Sequence, residues 1–102
     1  MPRWSSIVYR EFFDVPRRLV AWDESCTYFF WSRFVEADDD YRDFYDVYRM
    51  PPLSDQELRG SWVGLEKRAT EHLGTIPTRS LSFDAKRRAV DLDVLDKVEG
   101  KT

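Results

Sequence analysis

Apolar residues in the first half of the chain follow strand spacing, and in the second half they change to helical spacing. Residues 7–13 mix β-branched and aromatic side chains and stop at Asp14-Val15-Pro16, where proline fixes φ and removes a backbone donor. Residues 18–22 and 26–31 are two apolar runs separated by Asp23-Glu24-Ser25, the pattern of a hairpin. In Thr27-Tyr28-Phe29-Phe30-Trp31 both faces of the predicted strand are aromatic, so both need covering or one needs a partner. Residues 36–42 have the charge of a solvated loop. Residues 44–50 read as another strand, closed by Pro51-Pro52, neither of which can donate to a ladder.

Ser54-Asp55-Gln56-Glu57 is a capping box and predicts a short helix that ends by Gly60. A longer helix is predicted over 63–73, where Leu65, Ala69 and Leu73 fall on one face and Gly74 is a natural stop. Residues 79–83 alternate as a half-exposed strand, Asp84 caps a turn, and Asp91 opens a last helix with Leu92, Leu95 and Val98 before a frayed tail over 98–102. These elements predict an α+β fold. Its largely antiparallel sheet of four or five strands comes from the N-terminal half, and two or three helices from the C-terminal half pack on one face. The expected core includes Ile7, Tyr9, Phe12, Leu19, Tyr28, Phe30, Leu65, Leu73 and Phe83.

The 102 residues show no linker, repeat or low-complexity tract, so residues 1–102 are expected to form a single domain. Aromatic residues make up 16% of the chain, and rings beyond what a small core can hold belong on the surface as contacts. A formal charge of -3 argues against nucleic-acid binding by bulk electrostatics. No stretch approaches the roughly 20 apolar residues of a membrane span. Cys26 is the single cysteine, which leaves no intramolecular disulfide, and a cytoplasmic protein is expected.

Candidate chemistry is sparse. His72, the one histidine, suits the C-terminal end of the predicted helix, and Cys26 among aromatics reads as a small hydrophobe. One Cys and one His cannot supply the usual zinc ligand set. Glu36, Asp38, Asp39, Asp40 and Asp43 have the oxygen ligands a hard cation prefers, but the mid-loop glycine and distal Glu of an EF-hand are missing. No Gly-rich phosphate loop occurs, and neither a metal nor a cofactor is expected. Interleaved with Tyr41, Phe44 and Tyr45, the acidic loop instead offers carboxylates and rings to a basic protein.

The function expected from these features is a non-catalytic protein–protein interaction module of the regulatory, accessory or inhibitor type. Its expected contacts are Glu36, Asp38, Asp39, Asp40, Tyr41, Phe44 and Tyr45, with Phe29 and Trp31 on the aromatic strand. One alternative is a small hydrolase or nuclease that sets carboxylates beside Arg10, Arg17 or Arg18 in a concave pocket. The other is a self-associating structural protein, a homodimer through the second aromatic face.

Overall fold

β-Strand is the dominant secondary structure of the computed structural model, which describes residues 4–84 and 86–98. The strands are β1 (Trp4–Phe13), β2 (Val15–Trp22), β3 (Thr27–Trp31), β4 (Phe34–Val35), β5 (Asp40–Tyr41), β6 (Phe44–Met50), β7 (Glu71–Pro77), β8 (Phe83–Asp84) and β9 (Ala89–Asp91). Seven of them form one antiparallel sheet in the order β7-β6-β3-β2-β1-β9-β8, and β4 pairs with β5 as a separate ribbon.

Alternation along the central strands sends apolar side chains to both faces, and both faces are covered. Leu19, Ala21, Tyr28, Phe30, Tyr45, Val47 and Ile76 point to one side, where Leu92 and Val94 of the 3-10 turn Leu92–Lys97 close over them. Val20, Phe29, Tyr48 and Met50 point to the other, under Trp62 and Leu65. The registers keep these sets together: Leu19 lies opposite Phe30 and Val20 opposite Phe29, which in turn lies opposite Tyr48. The two-faced aromatic strand is therefore central and buried on both sides. Each fully buried Phe or Leu contributes about 1.5–3 kcal/mol of transfer free energy, and two shallow cores together replace one deep one.

The α+β expectation is corrected. Among the described residues the one α-helix is α1 (Asp55–Arg59), and no layer of helices packs on the sheet. α1 begins at the capping box, where Ser54 Oγ accepts from Glu57 N at 3.2 Å and the Glu57 carboxylate accepts from Ser54 N at 3.3 Å. The helix expected over 63–73 is instead the 3-10 turn Leu65–Arg68 followed by β7. Leu65 and Ala69 belong to one core and Leu73 to the other, so their helical spacing did not mark a common face. Pairing with the backbone of β6 wins over a weak local helical preference.

Leu73 is the extra residue of an irregularity in the β6–β7 ladder, beside Gly74 at φ 136, a conformation that suits glycine. The last expected helix is likewise the 3-10 turn Leu92–Lys97, with Asp91 accepting from Asp93 N at 2.9 Å. Strand 79–83 shortens to the edge strand β8 after the 3-10 turn Thr78–Ser80. Of the tail expected over 98–102, residues 99–102 lie outside the described residues. Among the described residues no helix is long and apolar enough to cross a membrane.

Candidate functional site

At one end of the sheet β1 turns into β2 around a single residue, since Phe13 lies opposite Val15 with only Asp14 between them. Asp14 takes φ 65 and Glu11, three residues earlier, takes φ 58. Both are left-handed conformations, costly for residues with a Cβ. The kink at Glu11 interrupts the in–out alternation of β1. Phe12 therefore reaches the side of Tyr9, with ring centroids 6.0 Å apart, and also meets Phe83 at 6.1 Å. In a regular strand residues 9 and 12 point to opposite faces. Phe12, expected in the core, is 53% exposed and Phe13 is 56% exposed.

The β4–β5 ribbon folds against this tip. Phe34 pairs with Tyr41 and Val35 with Asp40, and the 3-10 turn Glu36–Asp38 with Asp39 at φ 51 closes the ribbon. Tyr41 packs edge-on to Phe34 at 5.2 Å and lies 5.7 Å from Phe13. Phe34 is 48% exposed.

Arg17 joins the two hairpins. It is 8% exposed, and its Nε donates to Phe13 O at 2.9 Å. Its Nη1 donates to Ser32 Oγ at 3.1 Å and Arg42 O at 3.3 Å. Ser32 Oγ donates in turn to Arg42 O at 2.7 Å. The guanidinium carbon sits 4.7 Å from the Tyr41 ring centroid and 5.9 Å from that of Phe13. Carbonyl dipoles and ring faces thus hold the cation, which has no ion pair among the described residues.

The carboxylates of Asp14, Glu36, Asp38, Asp39, Asp40 and Asp43 also make no ion pair among the described residues. Glu36, Asp38, Asp39 and Asp40 lie on the ribbon that carries Phe34 and Tyr41, and Asp14 follows Phe13 directly, so carboxylates neighbour these rings in the chain. Salt bridges elsewhere are of the ordinary surface kind, such as Arg87 with Asp84 at 2.8 Å.

The expected contact residues separate into two sets. Glu36, Asp38, Asp39 and Asp40 are exposed on the ribbon, and Tyr41 is half-buried among the tip rings. Phe44 is half-buried, 6.0 Å from the Arg42 guanidinium. Tyr45 is wholly enclosed, and its hydroxyl donates to Pro16 O at 2.7 Å. Burial raises its phenol above the ordinary tyrosine range. Phe29 lies in the second core, and Trp31 is half-buried on that face between the guanidiniums of Arg33, at 4.3 Å, and Arg18, at 5.0 Å. The acidic loop and Tyr41 therefore gather with Phe13 and Phe34, while Phe12 stands with Tyr9 and Phe83; sequence reasoning placed none of these three phenylalanines, 12, 13 and 34, at a site. The available signal was Phe12-Phe13 before Asp14, because two consecutive strand residues cannot both face one core.

A second polar group was also missed. Asp46 lies between Arg33, with Nε to Oδ2 at 3.3 Å, and His72, with Nε2 to Oδ1 at 3.3 Å. Arg33 Nη2 donates to the Tyr48 hydroxyl at 3.1 Å, and the Tyr48 ring stacks on His72 at 4.8 Å. His72 thus stands on β7 opposite Tyr48, not at a helix end. Arg10 donates to Leu58 O at 2.8 Å and lies over Trp62, while Arg18 pairs with Glu11 at 3.0 Å. Among the described residues no three His, Cys, Asp or Glu side chains come together to hold a metal ion. No family model, curated protein or solved structure matches the chain.

Proposed function

We propose that this chain is a non-catalytic protein–protein interaction module that docks a basic polypeptide surface on the aromatic tip at the β1–β2 turn. The observation that carries the reading is the exposure of Phe13 and Phe34 on either side of Tyr41, beside carboxylates of the ribbon and the turn that have no ion pair among the described residues. Desolvating large rings supplies most of the energy at well-packed interfaces. Unpaired carboxylates around them attract a cationic partner and raise its association rate. The Arg17 clamp holds both hairpins before binding, which lowers the ordering cost of association.

The test compares binding of a captured basic protein to the wild-type chain, to Asp38→Asn/Asp39→Asn/Asp40→Asn and to Phe13→Ser/Phe34→Ser. The carboxylate variant should slow association and flatten its salt dependence, and the aromatic variant should accelerate dissociation. Affinity and salt dependence unchanged in both variants would remove the basis for the reading.

A small hydrolase or nuclease is the second reading, and the contact of Asp46 with both His72 and Arg33 is the observation that favours it. It requires His72→Gln to abolish a turnover that Phe13→Ser leaves intact.

A further inference from the structure

The opposite end of β2 carries a cavity that the proposed docking surface does not use. It has a volume of about 340 Å³ and opens where the β2–β3 turn meets the segment before α1. Val20, Met50, Leu53 and Leu58 give it an apolar lining, and Trp22 adds an indole. Asp23, Glu24 and Asp55 also line it, and no Lys, Arg or His does so among the described residues. Glu24 and Asp55 have no ion pair there either. Asp23 is committed locally, as its Oδ1 accepts from Ser25 N at 2.9 Å and Cys26 N at 2.7 Å, which holds the turn in shape.

We propose that this cavity binds a small organic amine, with its apolar body against Met50, Leu53 and Leu58 and its ammonium among Trp22, Glu24 and Asp55. Several physical terms agree on that guest. The volume lies in the range of small-molecule sites, roughly 300–1,000 Å³, and exceeds what a single lysine stem would fill. The lining rewards an apolar body, and an indole face together with carboxylates favours a cation. An anionic guest would find carboxylates as the charged groups of the lining and no cation to pair with among the described residues.

The test titrates the full chain with 2-phenylethylamine, its neutral analogue 2-phenylethanol, 3-phenylpropionate and N-acetyl-lysine methylamide, followed by calorimetry and by amide shifts in NMR. The amine should bind one per chain and move the resonances of residues 22–27 and 50–58. The alcohol should bind about two- to thirty-fold more weakly, the sum of two exposed charge interactions. Glu24→Gln/Asp55→Asn should remove that preference while leaving alcohol binding intact, so a merely apolar cavity is distinguished from a charge-selective one. Leu53→Trp, which fills the space, should abolish binding of both.

Phe13→Ser/Phe34→Ser should change none of these affinities, so this site and the tip stand or fall separately. Equal binding of amine and alcohol, shifts centred elsewhere, or no binding would overturn the assignment. Tighter binding of the lysine derivative than of the amine would overturn it too, by making a partner's side chain the better occupant.

Discussion

Replacing Arg17 by methionine removes a side chain that bonds to both hairpins of the tip while keeping an unbranched stem of similar length. The lost bonds are Nε to Phe13 O at 2.9 Å and Nη1 to Ser32 Oγ at 3.1 Å, together with the weaker contact to Arg42 O. Hydrogen bonds to a charged donor contribute about 1.5–3 kcal/mol each, and the ring contact with Tyr41 about 1 kcal/mol. Two effects reduce that sum. Methionine avoids the desolvation of a buried cation, and Arg42 O keeps its bond from Ser32 Oγ at 2.7 Å. One effect raises it, because the carboxylates of the rim lose a nearby positive charge. The expected net destabilisation is about 2–3 kcal/mol, and for a domain of this size that lowers Tm by roughly 8–24 °C.

Urea unfolding followed by tryptophan fluorescence, at low and high salt, measures the change. Salt should recover part of the loss in Arg17→Met, since it screens the repulsion among the acids. Arg17→Lys should be no better than Arg17→Met, because an ammonium cannot reproduce the guanidinium's fork and remains a buried charge. A methionine variant within about 0.5 kcal/mol of wild type, with no salt dependence in the difference, would refute the role given to Arg17.

The other predictions address separate parts of the fold. Trp62→Ala should cost about 3–5 kcal/mol in urea unfolding, since Trp62 covers Phe29 on the second face; a near-neutral result would mean that face has no core. Asp14→Gly should stay within about 0.5 kcal/mol of wild type while Asp14→Val costs about 1–2 kcal/mol, because the turn requires φ 65; equal stabilities would contradict the left-handed turn. Tyr28 is pushed up to about 12, by burial first and then by its hydrogen bond with Cys26. The unfolded phenol ionises near its ordinary value of 10, so stability should be full below about pH 10 and fall as pH rises through 12. Tyr28→Phe should flatten that alkaline limb, and an unchanged slope would count against the assignment.

Strand content in the N-terminal half was legible from its β-branched and aromatic runs and from Pro51-Pro52 after β6, but Pro16, read as part of a break, lies inside β2 opposite Phe12. The aromatic character of Thr27–Trp31 demanded either cover on both faces or a partner on one; the fold supplies the cover and encloses Phe29, which was expected at a contact, while the capping box at Ser54 located α1. The C-terminal half was misread for a definite physical reason. Leu65, Ala69 and Leu73 carry helical spacing, yet β6 needed a partner strand, and Glu71–Pro77 with β-branched Thr75 and Ile76 could supply one. Edge pairing of this kind joins residues more than twenty positions apart and leaves no local mark.

The same limit governed the sites. The acidic loop was visible as a run, but Phe13 meets its Tyr41 at a turn that depends on left-handed Asp14, which composition does not reveal. Arg33, Asp46 and His72 come from three separate segments, and the cavity under the β2–β3 turn is shaped by residues spread from Val20 to Leu58.

Photo-crosslinking at the tip tests the docking proposal most directly. A p-benzoylphenylalanine in place of Phe34, in cells that make the protein, samples whatever seats on the exposed rings. The account predicts a crosslink to a basic protein that disappears with Asp38→Asn/Asp39→Asn/Asp40→Asn and is missing when the probe replaces Val63, an exposed residue outside the tip. A crosslink only to a second copy of the chain, or one that survives neutralisation of the rim, would contradict it.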